Sequence, residues 1–460
     1  MSSAGISFGG LASGLDTQAI ISALVAVEER PIFQLERTKS SLKKQKSLFG
    51  DLNGLLDKLT DAAKALKTTS SFLQMKATSS NEDILTASAS STATPGTYGV
   101  TVEALAKGQV NSAGSSSATD PIANTNPSVT LQLDVGGNSY FISAANNLEA
   151  IASAINSEDD ANETGVRAEV VDTGSGAAAG ERYQLVIRGE EPGAENSFTL
   201  AVDEGGTGFD DLVAELNTDP VVATDSHIKV NGLDIYRSSN TIADLFGGIT
   251  LDLKSVDAQE VTITVATDGE ETSTKVKELV DAYNAAVDFF EAQNVLDEEG
   301  GAQSELFGDT TLRSIRTSMR SIVGGSVTTT GNEAYQLLSQ IGITADTKGK
   351  LEFNQSKFEE ALAEDEAAVT ALFSDTTNGI AARLETQIDL YTDSVDGLIK
   401  TRNDGFDRRI KQTTTRIENA ERRLEQYEKS LTVKYANLEQ LLSRLQGQGS
   451  SIGNIAQSFG

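Results

Sequence analysis

The residues able to do chemistry are few and scattered. His227 is the sole histidine, and no cysteine occurs in 460 residues. A Cys/His nucleophile pair, a thiolate-ligated zinc and a disulfide are therefore excluded by composition. A lone imidazole at the head of the strand Ile228 to Val230 reads as a solvent-facing strand residue rather than a general base. The carboxylate runs Asp297-Glu298-Glu299 and Glu364-Asp365-Glu366 could attract a cation, but neither has the spacing of a calcium loop. Both read as solvated helix ends or loops. Asp346 to Lys350 puts lysine where such a loop needs oxygen, which makes it a turn. Gly205-Gly206-Thr207-Gly208 follows no buried strand and lacks the lysine of a phosphate loop. The expectation is a protein with no catalytic residue, no cofactor and no metal site, and not an enzyme.

What the chain must position instead is apolar surface. Ile410, Ile417, Leu424, Leu431, Leu438 and Leu445 recur every seven residues, with Thr413, Ala420, Tyr427, Lys434 and Leu441 three residues after the first five. That is a heptad seam, and its forty residues without proline predict a rod of roughly 60 Å. Such a stripe needs a partner, because a lone helix gains most of its stability by burying one face. The comparable stripe lies at the other end of the chain. Leu35, Leu42, Phe49, Leu56 and Ala63 repeat at seven, with Gln45, Leu52, Leu59 and Leu66 three residues after the last four. The two ends are expected to pair, carrying everything between them as an insertion.

In chain order, residues 1–16 are Gly- and Ser-rich and read as a flexible leader. Asp16 is a candidate N-cap for a short amphipathic helix bearing Ile20, Ile21, Leu24, Val25 and Val27, which Pro31 should end or kink. A long helix then runs from about Phe33 to Leu66, with Gly50 and Gly54 inside it. From Thr68 the apolar period changes to two. Strands are expected at Tyr98 to Ala104, Val129 to Val135 and Tyr140 to Ile142 around a Gly136-Gly137 turn, with a helix capped at Asn146 or Asn147, and a linker over 111–128. The order Val230-Asn231-Gly232, Tyr236, Asn240, Ile242 echoes Val135 to Leu148 and predicts a second hairpin-plus-helix unit. Helical periodicity returns after Thr272, with Asp309 capping one helix and another spanning Ser356 to Phe373. The fold class is thus α+β: a helical leg with coiled-coil N- and C-terminal helices and one or two inserted β-rich head domains. The expected divisions are a flexible 1–32; a leg of 33–77 plus 272–446; a first head of 78–111 plus 225–271; a second head of 112–224; and a flexible tail of 447–460.

Lys and Arg total 37 against 67 Asp and Glu, a net charge of −30. Residues 81–271 hold 7 basic and 31 acidic side chains, whereas 401–446 hold 10 and 7. A middle of that charge does not bind nucleic acid. It reads as a solvated, self-repelling surface, and a saline habitat would fit it too. No apolar run reaches membrane-span length, and Met1 to Gly10 lacks the basic and apolar regions of a cleaved signal peptide. The protein either stays in the cytoplasm or leaves by a route that needs no such peptide.

One resemblance covers nearly the whole chain in order. Residues 6–31, ISFGGLASGLDTQAIISALVAVEERP, look like the start of the bacterial flagellar filament cap family, hook-associated protein 2. Tyr98 to Lys107 resembles that family's first head strands. Residues 129–203 are similar to small β inserts of flagellins and hook-associated proteins. Val230 to Asn240, Val280 to Asn284, Ile341 to Ile343 and Gly349 to Leu351 resemble its C-terminal half. The likeness ends at Leu445. It implies a secreted protein at the flagellar filament tip, several copies forming a ring under which exported flagellin folds and inserts. The implied partners are further copies, flagellin, the hook-filament junction protein and a cytoplasmic export chaperone, with no nucleic acid and no membrane insertion. Ile20, Ile21, Leu24 and Val27 would be the terminal assembly segment. The competing expectations are another axial protein at the hook-filament junction, an adhesin displaying the acidic head for cell adhesion, and a surface hydrolase built from dispersed carboxylates.

Overall fold

The computed structural model describes residues 16–122, 126–174, 176–177, 181–328 and 334–458. Most of the expected leader, part of the expected linker and the last two residues lie outside them. In chain order, α1 (Thr17–Lys64) and α2 (Thr69–Phe72) precede β1 (Met75–Ser79), β2 (Leu85–Ala89), β3 (Gly96–Ala104) and β4 (Val110–Ser115). Then come β5 (Ser128–Val135), β6 (Asn138–Ala145), α3 (Leu148–Asn162), β7 (Val166–Asp172), β8 (Tyr183–Gly189), β9 (Phe198–Glu204) and α4 (Thr207–Leu216). β10 (Ser226–Val230), β11 (Leu233–Arg237), β12 (Thr241–Phe246), β13 (Ile249–Leu253) and β14 (Asp257–Thr267) complete the strand-rich middle. The chain returns to helix with α5 (Gly269–Gln293) and α6 (Thr310–Gly324), the hairpin β15 (Ile343–Ala345) and β16 (Leu351–Phe353), then α7 (Gln355–Glu364), α8 (Glu366–Ser374), α9 (Ile380–Thr392) and α10 (Leu398–Ser458).

The architecture is α+β in two compact units. One joins residues 1–72 to 273–460, and the other is 73–272. In the helical unit the long α1 and α10 pack on each other, and α9 packs on α1 and α6. Its core is aromatic at the centre: Phe72 stacks on Phe373 at 5.1 Å, and Phe358 meets Phe373 edge-on. Asp309 caps α6 by accepting from the backbone N–H groups of Thr311 and Leu312, which frees Leu312, Ile315 and Met319 to point inward.

The β-rich unit contains two cores. The first gathers Val100, Val102, Ile228, Ile249, Leu251 and Ile263, under a sheet of order β1-β14-β3-β10-β11 and a smaller one of order β12-β13-β2. The second gathers Leu131, Leu133, Ile151, Ile155, Leu185, Ile187, Phe209 and Leu212 between the sheets β6-β5-β9 and β4-β8-β7 and the helices α3 and α4. Asn147 caps α3 through the Ala150 N–H. Gly136 and Gly137 take φ of 59° and 81° in the β5–β6 turn, and Asn231 and Gly232 take 49° and 85° in the β10–β11 turn. Both hairpins thus use the two left-handed residues that match strand twist.

Five expectations from the sequence need correcting. α1 does not stop at Pro31 but runs through it for 48 residues. A mid-helix proline costs about 3 kcal/mol, and burial of Ile21 and Ile32 on either side of it offsets that loss. α10 continues to Ser458 through Gly447 and Gly449, where a loose tail was expected. Extending a formed helix adds a hydrogen bond per residue without a new nucleus, so a few glycines do not stop it. The stretch read as a linker opens with β4, whose Ala113 is fully buried and whose Asn111 side chain donates to the Leu216 carbonyl. The helix expected from Ser356 to Phe373 breaks at Asp365, whose carboxylate caps α8 by accepting from the Ala368 N–H. The second hairpin is followed by a strand, β12, because Thr241 and Ile242 find ladder partners in Asp252 and Leu251. The hairpin repeats and its helix does not.

Candidate assembly interface

α1 and α10 lie antiparallel, as three contacts along their length establish. Thr17 Oγ1 donates to Glu439 at 3.2 Å, the Lys46 ammonium meets Asp407 at 2.5 Å, and the Phe49 and Phe406 rings are 5.8 Å apart. Leu42, Phe49, Leu52, Leu56 and Leu59 of α1 are buried, and Leu35 is half-buried. On α10, Ile417 and Leu431 are buried, while Ile410 and Leu424 are half-buried. These expected seam residues therefore come together. The ladder also uses residues the heptad reading passed over. Phe406 is buried, and the Arg402 guanidinium sits 5.6 Å from both the Phe49 and the Phe406 ring while pairing with Asp309. Thr413, an expected seam position, is buried too, its hydroxyl satisfied by the Arg409 carbonyl at 2.8 Å.

Leu438 and Leu445 are not brought to α1. They are 44% and 53% exposed, and Leu441 is 57% exposed. α1 begins at Thr17, opposite Glu439, so the nineteen residues of α10 beyond it extend about 28 Å with no described helix beside them. The expected terminal assembly segment divides in the same way. Ile21 is buried and Ile20 half-buried, but Leu24 and Val27 are 37% and 55% exposed. Ile21 and Val25 share the more buried face, one turn apart, whereas Leu24 lies at its edge and Val27 on the opposite side.

The surface of the pair is basic in an otherwise acidic chain. Leu35, Arg416, Asn419, Arg422, Arg423 and Gln426 line a concavity of about 600 Å³, and Arg37, Ser41, Leu42, Gln45 and Arg409 line another of about 370 Å³. Arg422 donates to Asn419, and among the described residues Arg416 and Arg423 have no carboxylate partner. Two of the acids on α10 pair with a lysine one turn away, Asp404 with Lys400 and Glu425 with Lys429. A hydrogen bond from Lys400 holds the Asp404 carboxyl below its usual range, and one from Lys429 does the same for Glu425.

His227 has company that its sequence neighbourhood does not show. Its Nδ1 lies 3.1 Å from Glu103 Oε2 on β3 and its Nε2 2.8 Å from Asp234 Oδ1 on β11. The bond to His227 is the main cause of a lowered Asp234 pKa. Glu103 is 124 positions away in the chain, so only the strand order could have revealed it. The acidic runs have local roles: Asp297 accepts from the Glu299 and Gly301 N–H groups, and Asp346 from that of Lys350.

Comparison with known proteins gives a consistent answer. The family profile described as flagellar hook-associated protein 2 N-terminus matches residues 13–109, and the one described as flagellar hook-associated protein 2 C-terminus matches 223–447. Residues 110–222, between them, contain the second β core. Flagellar hook-associated protein 2 of Escherichia coli (strain K12) is 28% identical over 468 residues, covering 97% of both chains. B-type flagellar hook-associated protein 2 of Pseudomonas aeruginosa is 27% identical over 474 residues, covering 97% of this chain and 95% of its own. The crystal structure of the D1-D2-D3 domains of the flagellar cap protein FliD from Escherichia coli matches with a TM-score of 0.60 at 28% identity, over 78% of this chain and 99% of that one.

Proposed function

Since this chain belongs to the flagellar hook-associated protein 2 family, we propose that it caps the flagellar filament as a ring of several copies joined through the far end of the α1–α10 pair. The observation that carries the ring is the apolar surface left where the pair runs out: Leu24 and Val27 on α1, and Leu438, Leu441 and Leu445 on α10. Covering these side chains in neighbouring copies removes apolar area from water, the dominant favourable term in association.

In this reading the cap is secreted to the filament tip, and the hook-filament junction protein is among its partners. Exported flagellin folds and inserts there, and a cytoplasmic chaperone covers the C-terminal helix beforehand. The work is mechanical and needs no catalytic group. Negative-stain imaging of a strain lacking this protein tests the reading. Short filaments with free flagellin in the medium, restored by the full chain, are the expected result. Filaments of normal length overturn it and favour an adhesin.

A further inference from the structure

The outer face of the sheet β1-β14-β3-β10-β11 brings three metal-ligating side chains together from three adjacent strands. Glu103 on β3, His227 on β10 and Asp234 on β11 offer one carboxylate oxygen, one imidazole nitrogen and another carboxylate oxygen, all within 4.8 Å of one another. Two features of the fold set this arrangement. The β3–β10 ladder slips at this point: His227 pairs with Ala104 but Ile228 with Val102, so Glu103 is the extra residue of a bulge. Bulges re-aim a side chain without moving the strand. The imidazole plane is held by the Tyr236 ring, stacked on it at 4.3 Å and 11°, and Tyr236 is also its cross-strand partner.

A cation already sits in this group. The Lys229 ammonium donates to Glu103 and lies 3.6 Å from Asp234 Oδ1. We propose that Glu103, His227 and Asp234 form a surface site for a borderline divalent transition ion such as Zn²⁺, which enters by displacing the Lys229 ammonium. An imidazole nitrogen with two carboxylate oxygens suits zinc and its neighbours; calcium and magnesium take oxygen ligands instead. Ligands of a tetrahedral zinc stand about 3.4 Å apart. Glu103 and Asp234, with side chains 34% and 51% exposed, have the freedom to close the remaining gap. Lys229, 39% exposed, has room to swing into solvent.

The experiment is a calorimetric titration of the untagged full chain with Zn²⁺, alongside the NMR signals of its single histidine. One saturable equivalent is expected, with the imidazole resonances shifting in step. His227→Gln should weaken binding at least about tenfold, and Lys229→Met, which removes the competing cation, should tighten it by about tenfold. Thermal melting of both variants confirms that they fold. The proposal is overturned by any of three results: no saturation by about 1 mM Zn²⁺, binding to His227→Gln as tight as to the parent, or no gain from Lys229→Met.

Discussion

Leu431 and Leu438 sit one heptad apart on the same helix, yet one is 8% and the other 44% exposed. Substituting each therefore separates what α1 covers within a chain from what another copy would cover in the proposed ring. Leu431→Ala removes buried methyl groups from the α1–α10 seam, a loss of about 2 kcal/mol at the low end of the core range. For a unit of this size that lowers the melting temperature by about 4–8 °C. Leu438→Ser with Leu445→Ser removes side chains already half in water, which changes the isolated chain by about 0.5 kcal/mol or less. In the assembly the picture reverses. Burying a whole leucine is worth about 2 kcal/mol, so about half of that remains to be gained at each position. The double variant should then lose about 2 kcal/mol per subunit contact, roughly thirtyfold in dissociation constant. The assay is sedimentation velocity across a concentration series, with melting by circular dichroism at a dilution where the parent is monomeric, since association itself raises apparent stability. A double variant that associates like the parent refutes the proposed contact. Loss of association in Leu431→Ala without a fall in melting temperature refutes the division between the two halves of the seam.

Burial pushes the Tyr283 phenol up to about 12, above its ordinary 10.0. Its neutral form is thus favoured by folding: the contribution is intact below pH 10 and falls as pH rises from 10 through 12, by about 3 kcal/mol at most. Tyr283→Phe should flatten that alkaline loss in a pH series of denaturant melts, and an unchanged alkaline limb contradicts the assignment. A net of −24 over residues 81–271 would make neighbouring copies of the proposed ring repel, and salt shortens the screening length from about 10 Å at 0.1 M to about 3 Å at 1 M. Assembly should strengthen with salt in sedimentation; dissociation at high salt would mean that attractive ion pairs dominate instead.

Local signals in the sequence were legible where local chemistry decides. Asp309 and one of Asn146 and Asn147 read as caps, and Gly136-Gly137 and Asn231-Gly232 as turns, because each stabilises its own few residues. The terminal stripes were legible because a heptad states its own need for a partner. The failures came where distant packing overrode local preference. Pro31 lies inside α1 because Ile21 and Ile32 are held by a helix at the other end of the chain. Val110–Ser115 is a strand because β8 is there to receive it. The echo of the first hairpin ended in β12 because β13 offered a ladder. Along α10, a seven-residue repeat says which residues share a stripe but not where the partner helix ends. Leu431 and Leu438 therefore looked alike. His227 looked solitary for a related reason, since both of its carboxylates arrive by strand pairing.

Lys46 and Asp407 meet across 361 positions of chain, and the β-rich unit lies wholly between the two parts of the helical one. This arrangement fixes an order in time. A ribosome adding about 10 residues per second finishes residue 272 about 20 seconds before it has made the rest of α10. The β-rich unit has all its strands by then. α1, the first of the described helices to be made, waits through that interval with Leu42, Phe49, Leu52 and Leu56 uncovered. Whatever binds that stripe during the delay competes with the chain's own last helix, and holding either one apart keeps the helical unit from closing.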